Sequence, residues 1–212
     1  MKKNLNINLL LLFISLSLTL ASQKYALEIG YSNPTRYGVN ASPTNFYGGH
    51  LGGTASFELR KNVSLLTGAL YSFVYSDKYQ GYVYPEGVSY KTQGHFLDIP
   101  LQISYSLPLN KNLKFIGFAG PKINIGLYQR QETISTLSYL INDPLYIGSS
   151  MNDLYKESLL NRLNLQIGLG SGIQWKNYQL KSGYDWGITN LNKVNTGNLY
   201  QKGWYVTFSY EF

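Results

Sequence analysis

Cysteine is absent from all 212 residues, which removes both a disulfide framework and a lipoprotein anchor. Charge is scarce as well: Asp, Glu, Lys and Arg make up 14% of the chain. The formal net charge of +7 falls, once Lys2 and Lys3 are set aside, to 16 cationic against 11 acidic residues, a net +5. That excess is modest and spread along the chain, so a nucleic-acid-binding patch is excluded. The apolar content is too low for a helical membrane protein, and mean hydropathy is slightly negative. What the chain has in abundance is tyrosine and glycine, 20 and 21 residues.

Residues 1–21 read as a secretory signal peptide. Lys2 and Lys3 form the positive end, Leu9 to Leu20 the apolar run, and Thr19 and Ala21 the small residues before cleavage, which can also fall after Ser22. The run is short for a membrane anchor and is interrupted by Ser15, Ser17 and Thr19. Residues 22–212, roughly 190 positions, fit a single domain.

The last eleven residues, KGWYVTFSYEF, alternate with period two. Trp204, Val206, Phe208, Tyr210 and Phe212 share one face, while Gly203, Tyr205, Thr207, Ser209 and Glu211 share the other. Such a strand, tilted, crosses the hydrocarbon layer of a membrane. Tyr210 and the final Phe212 resemble the C-terminal signal by which outer-membrane barrels are recognised for assembly. Seven further strands carry the same alternation, beginning near residues 25, 51, 63, 96, 113, 162 and 178. The strand from residue 63 is the least regular, because Leu66, Leu70 and Val74 share the parity of Ser64, Gly68 and Ser72.

Charges decide between a barrel in lipid and a soluble sandwich. Mid-strand charges all lie on the polar parity: Glu28, Glu58, Asp98, Lys122, Lys181 and Asp185. A Lys or Arg facing lipid near the midplane costs about 2–4 kcal/mol, so this segregation is the one a membrane imposes. The connections alternate too. Links at 60–62, 108–112 and 176–177 are short, whereas 33–49, 77–92, 130–161 and 189–201 are long. The expected fold is therefore all-β, an eight-stranded antiparallel up-and-down transmembrane β-barrel in the outer membrane, with both termini periplasmic. Aromatic residues gather near both rims, with Tyr25, Tyr105, Trp175, Tyr178 and Phe212 on one side and Tyr31, Tyr75, Trp186 and Trp204 on the other.

Four segments go beyond this general pattern: HFLDIPLQISYSL (95–107), GFAGPKINIGL (117–127), NLQIGLGSGIQW (164–175) and YDWGITNL (184–191). They resemble the conserved segments of the PorT-type outer-membrane β-barrel family, the first its acidic-Ile-Pro strand and the last its Gly-Thr-Asn strand end. The resemblance spans essentially the whole chain after the leader and implies the same barrel. One branch of that family takes part in gliding motility and type IX secretion in Gram-negative bacteria.

No catalytic, cofactor or metal constellation stands out. The glycine-rich stretch 168–172 lies inside a strand and is no phosphate cradle. His50 and His95 lie near strand ends without an evident nucleophile and read as rim or structural histidines. A lumen charge network is expected from Glu28, Glu58, Asp98, Lys122, Arg162, Lys181, Asp185 and Glu211, with Asp98 opposite Lys122 at its centre. In the third long loop, Asn152 or Asp153 is placed to cap a short helix carrying Leu154, Leu159 and Leu160, forming a lid or a binding surface. The expected role is non-enzymatic: scaffold, adhesin or secretion-associated component acting through external loops. The alternatives are a barrel-embedded lipid or ester hydrolase and a narrow solute channel. Expected partners are outer-membrane lipid, the barrel-assembly machinery and an envelope or secretion-complex protein.

Overall fold

The computed structural model describes residues 23–38, 41–83, 86–138, 144–194 and 197–212. The proposed leader and its cleavage point lie outside the described residues. The described residues form ten strands: β1 (Gln23–Gly38), β2 (Ala41–Asn45), β3 (Tyr47–Arg60), β4 (Val63–Val83), β5 (Glu86–Pro108), β6 (Leu113–Ser138), β7 (Pro144–Asp153), β8 (Leu163–Trp175), β9 (Tyr178–Gly187) and β10 (Leu199–Glu211). Eight of them form a ring in the order β1-β3-β4-β5-β6-β8-β9-β10, every neighbour antiparallel. The ring closes where β10 pairs β1 along its length, from Ala26 opposite Glu211 to Gly38 opposite Leu199. Closure leaves the ring without a free edge, the condition for a sheet in hydrocarbon, where water cannot satisfy backbone groups.

The alternation fixes what faces where. β8 and β9 alternate exposed and buried residues almost without a break. Leu163, Leu165, Ile167 and Leu169 point outward, while Asn164 and Gln166 are buried. Among the described residues 21 buried side chains are polar or charged and 8 are hydrophobic. A water-soluble core has the opposite composition, so lipid must cover the outside of this wall. On β4 the irregular residues point inward, where Val74 is buried and Leu66 and Leu70 line the lumen.

Three short turns join strands at one end, at 61–62, 109–112 and 176–177. Asn62 and Lys176 adopt positive φ there, 67° and 53°. At Gly120 (φ 155°) β6 passes close to β5, where an added Cβ would overlap the Leu101 carbonyl oxygen. Three of the long connections at the other end carry β-structure of their own. The 77–92 connection continues the β4–β5 hairpin, from Asp77 opposite Lys91 to Val83 opposite Glu86. β2 folds back on β1, and β7 on the upper part of β6.

Candidate functional site: a charged lumen under a packed lid

The lumen holds two ion pairs. Lys122 on β6 pairs with Asp185 on β9, across the β8 position occupied by Gly168. A Cβ at Gly168 would overlap Asp185 Oδ1, so the missing side chain leaves the carboxylate its place. Lys181 Nζ reaches Glu28 Oε1 at 2.5 Å, and Thr54 Oγ1 donates to the same carboxylate oxygen at 2.8 Å. The two-residue turn at 176–177 sets this side of the barrel, with Asp185 opposite Gly168 and Lys181 opposite Gly172.

Asp98 is not the partner of Lys122. Asp98 lies opposite Asn124, and Lys122 opposite Pro100. The Asp98 carboxylate instead accepts from Asn124 Nδ2 at 2.7 Å and Ser72 Oγ at 2.5 Å. The cause is the turn. Asn110 Oδ1 accepts from the backbone of Asn112 and Leu113, and Leu109 N donates to Leu113 O, which centres the hairpin on Lys111, one position later than a turn about Asn110. The pairing therefore shifts by two, a slip that keeps every side chain on its face while changing its partner.

The remaining expected charges are spread along the axis. Glu58 is exposed at the short-turn end. Glu211 lies at the same end, paired with Lys24 at 2.6 Å and accepting from Gln174 and Gln179. Arg162 is not a lumen residue. It is exposed at the long-loop end, where it donates to the carbonyls of Gly126 and Leu127 and lies over the Tyr155 ring. Tyr210 and Phe212 face outward; Tyr210 packs on Tyr178, and Phe212 N donates to Tyr25 O. His50 is buried beside Thr207 Oγ1 at 2.8 Å and edge-on to Tyr205. His95 points outward among Tyr71, Phe73 and Tyr128, its Nδ1 2.5 Å from Tyr71 Oη.

Above the charges the mouth is closed. Phe46, Val74, Phe96 and Tyr155 form a buried cluster, with Leu160 packed against it. Residues 154–158 make a hydrogen-bonded turn rather than the expected helix. Asp153 is nevertheless its cap, because its Oδ1 accepts from Tyr155 N at 3.1 Å and Lys156 N at 3.4 Å. Gly126 admits Tyr155, since a Cβ there would overlap the phenol oxygen. Arg36 completes the lid from β1. It donates to Gln129 at 2.9 Å and Gln201 at 3.1 Å, with its guanidinium 5.0 Å from the centre of the Phe46 ring. Burial raises the Tyr155 phenol pKa above its ordinary value, while Arg36 and Arg162 pull it down. Arg36 carried no sequence signal, since it falls inside an apparent loop and its partners lie 93 and 165 residues away.

A closed antiparallel ring, apolar outside and polar inside, with girdles such as Tyr25, Trp175 and Tyr178 at one rim and Tyr31, Trp186 and Trp204 at the other, defines an integral β-barrel of the outer membrane. The chain belongs to the Outer membrane protein beta-barrel domain family, which matches residues 18–193. That match stops before β10, the strand that closes the ring. No curated protein matches the sequence. Among solved structures the chain is similar to a major outer membrane protein of Thermus thermophilus, with 17% identity, TM-score 0.47, and coverage of 90% of this chain and 100% of that one. It is also similar to Ail, the attachment invasion locus protein of Yersinia pestis, with 13% identity, TM-score 0.46, and coverage of 90% and 99%. Neisserial surface protein A gives 11% identity, TM-score 0.42, and coverage of 89% and 97%.

Proposed function

We propose that this barrel is a non-enzymatic scaffold whose structured long-loop end docks an envelope or secretion-complex protein, in the manner expected of a PorT-like component. The observation that carries this reading is the β-structure beyond the girdle. The β4–β5 and β6–β7 hairpins continue the wall of the barrel outward, and the Asp153-capped turn packs down on Phe46, Val74 and Phe96. A rigid scaffold presenting ordered loops is the usual setting for recognition. On this reading the short turns and both chain ends face the periplasm, the hairpins face outward, and Tyr210 and Phe212 are read by the assembly machinery.

A photo-crosslinking residue at Met151, which is exposed on β7, should capture an envelope protein in living cells. Replacing residues 131–152 by a short turn should abolish that capture from a neighbouring position while leaving the barrel folded and inserted. Crosslinks to lipid alone would refute the docking role. Lipid or ester turnover by the purified barrel in detergent, lost on His50→Ala, would favour the hydrolase instead.

A further inference from the structure

Among the described residues two cavities lie stacked along the barrel axis. One, about 90 Å³, lies under the lid and is lined by His50, Asp98, Lys122 and Asp185 among others. The second, about 140 Å³, opens toward the short-turn end and is lined by Glu58, Lys114, Gln174 and Glu211 among others. A single water needs about 10–15 Å³ of such volume, so both can hold several waters against their polar walls. Five residues line both cavities: Glu28, Leu66, Gln102, Phe118 and Lys181. They come from β1, β4, β5, β6 and β9, and together make a septum across the barrel. The septum includes the Lys181–Glu28 ion pair and the Phe118 ring, which lies over Gly170. The upper cavity is stopped a second time, by the Phe46, Val74, Phe96 and Tyr155 cluster, which separates it from a wider space of about 760 Å³ among the long loops.

We propose that the lumen is a narrow path for small ions held shut by two closures in series, the Lys181–Glu28 septum and the aromatic lid. Each closure is of a different kind. The septum depends on one ion pair whose members have side-chain exposures of 8% and 5%, with Thr54 fixing the carboxylate. Without the pair the septum keeps only Leu66, Gln102 and Phe118. The lid depends on apolar packing, and its parts outside the ring are Phe46, in the connection between β2 and β3, and Tyr155, in the turn after β7. Because the closures lie in series, conduction requires both to give way. This proposal does not depend on docking at the long-loop end.

The test is current through the purified full-length barrel in planar bilayers of potassium chloride solution. Wild type should be nearly silent. Glu28→Ala with Lys181→Ala, combined with Phe46→Ala, should show frequent discrete openings where wild type shows almost none. The septum variant or Phe46→Ala alone should stay close to wild type. The exchange Glu28→Lys with Lys181→Glu, in the Phe46→Ala background, should restore silence by re-forming the pair in reverse. Heat-modifiable migration verifies folding of each variant. Silence of the folded triple variant overturns the proposal, as does a wild type that already conducts equally well. Full conduction from one single-closure variant removes the series arrangement. If the triple variant does not fold, Lys181→Met with Phe46→Leu poses the same question, and silence there counts equally against the path.

Discussion

Lys122→Met removes the cation from a pair whose acidic member, Asp185, is 3% exposed. Asp185 Oδ1 has no hydrogen-bond partner among the described residues, so after the change no protein group offsets the burial of the carboxylate's charge. Removing one member of such a pair costs about 3–5 kcal/mol, chiefly because the other charge is stranded. Neutralising the stranded group should recover much of that, so Lys122→Met with Asp185→Asn should be more stable than Lys122→Met alone by about 2 kcal/mol. Asp98 is the control. Its carboxylate is held by Ser72 and Asn124, so Lys122→Met with Asp98→Asn should show the smaller coupling. The assay is reversible urea unfolding of the barrel in lipid vesicles, completed as two double-mutant cycles. Coupling to Asp98 equal to or greater than coupling to Asp185 would refute the pairing, and with it the register of β5 and β6.

Three further outcomes are expected. Gly168→Ala should destabilise the barrel by about 1–3 kcal/mol, the usual cost of overpacking, because its methyl must displace the Asp185 carboxylate; an unchanged unfolding midpoint would contradict the close approach. Phe212→Glu should lower the yield of heat-modifiable barrel in outer membranes while export continues, and normal yield would remove the assembly role. Protease added to intact cells should cut within 77–91, where β4 and β5 run beyond the girdle, and within 151–161 before the membrane-spanning parts of the ring strands, and should spare Lys111 and Lys176; cleavage at those two lysines would show that the short turns face outward.

The alternation in the sequence determined the walls of this protein. Val, Leu, Ile and aromatic residues on one parity and Gly, Ser, Asn and Gln on the other leave one closed arrangement in lipid, and the confinement of Glu28, Asp98, Lys122, Lys181 and Asp185 to the polar parity already placed them inside. The two-residue turn at 176–177 was legible as well, and with it the placement of Asp185 opposite Gly168. The partner of Lys122 was not legible. Parity repeats every two residues, so the turn built on Asn110, with its hairpin centred on Lys111, moves β6 past β5 by two without disturbing which face anything is on. Only the ring then brings β9 within reach of β6 across Gly168, and gives Asp185 the cation that counting along one hairpin assigned to Asp98. The lid was decided the same way. Asp153 announced a cap, but Arg36, Phe46 and Tyr155 lie far apart in the chain, and closure of the barrel is what gathers them over its mouth.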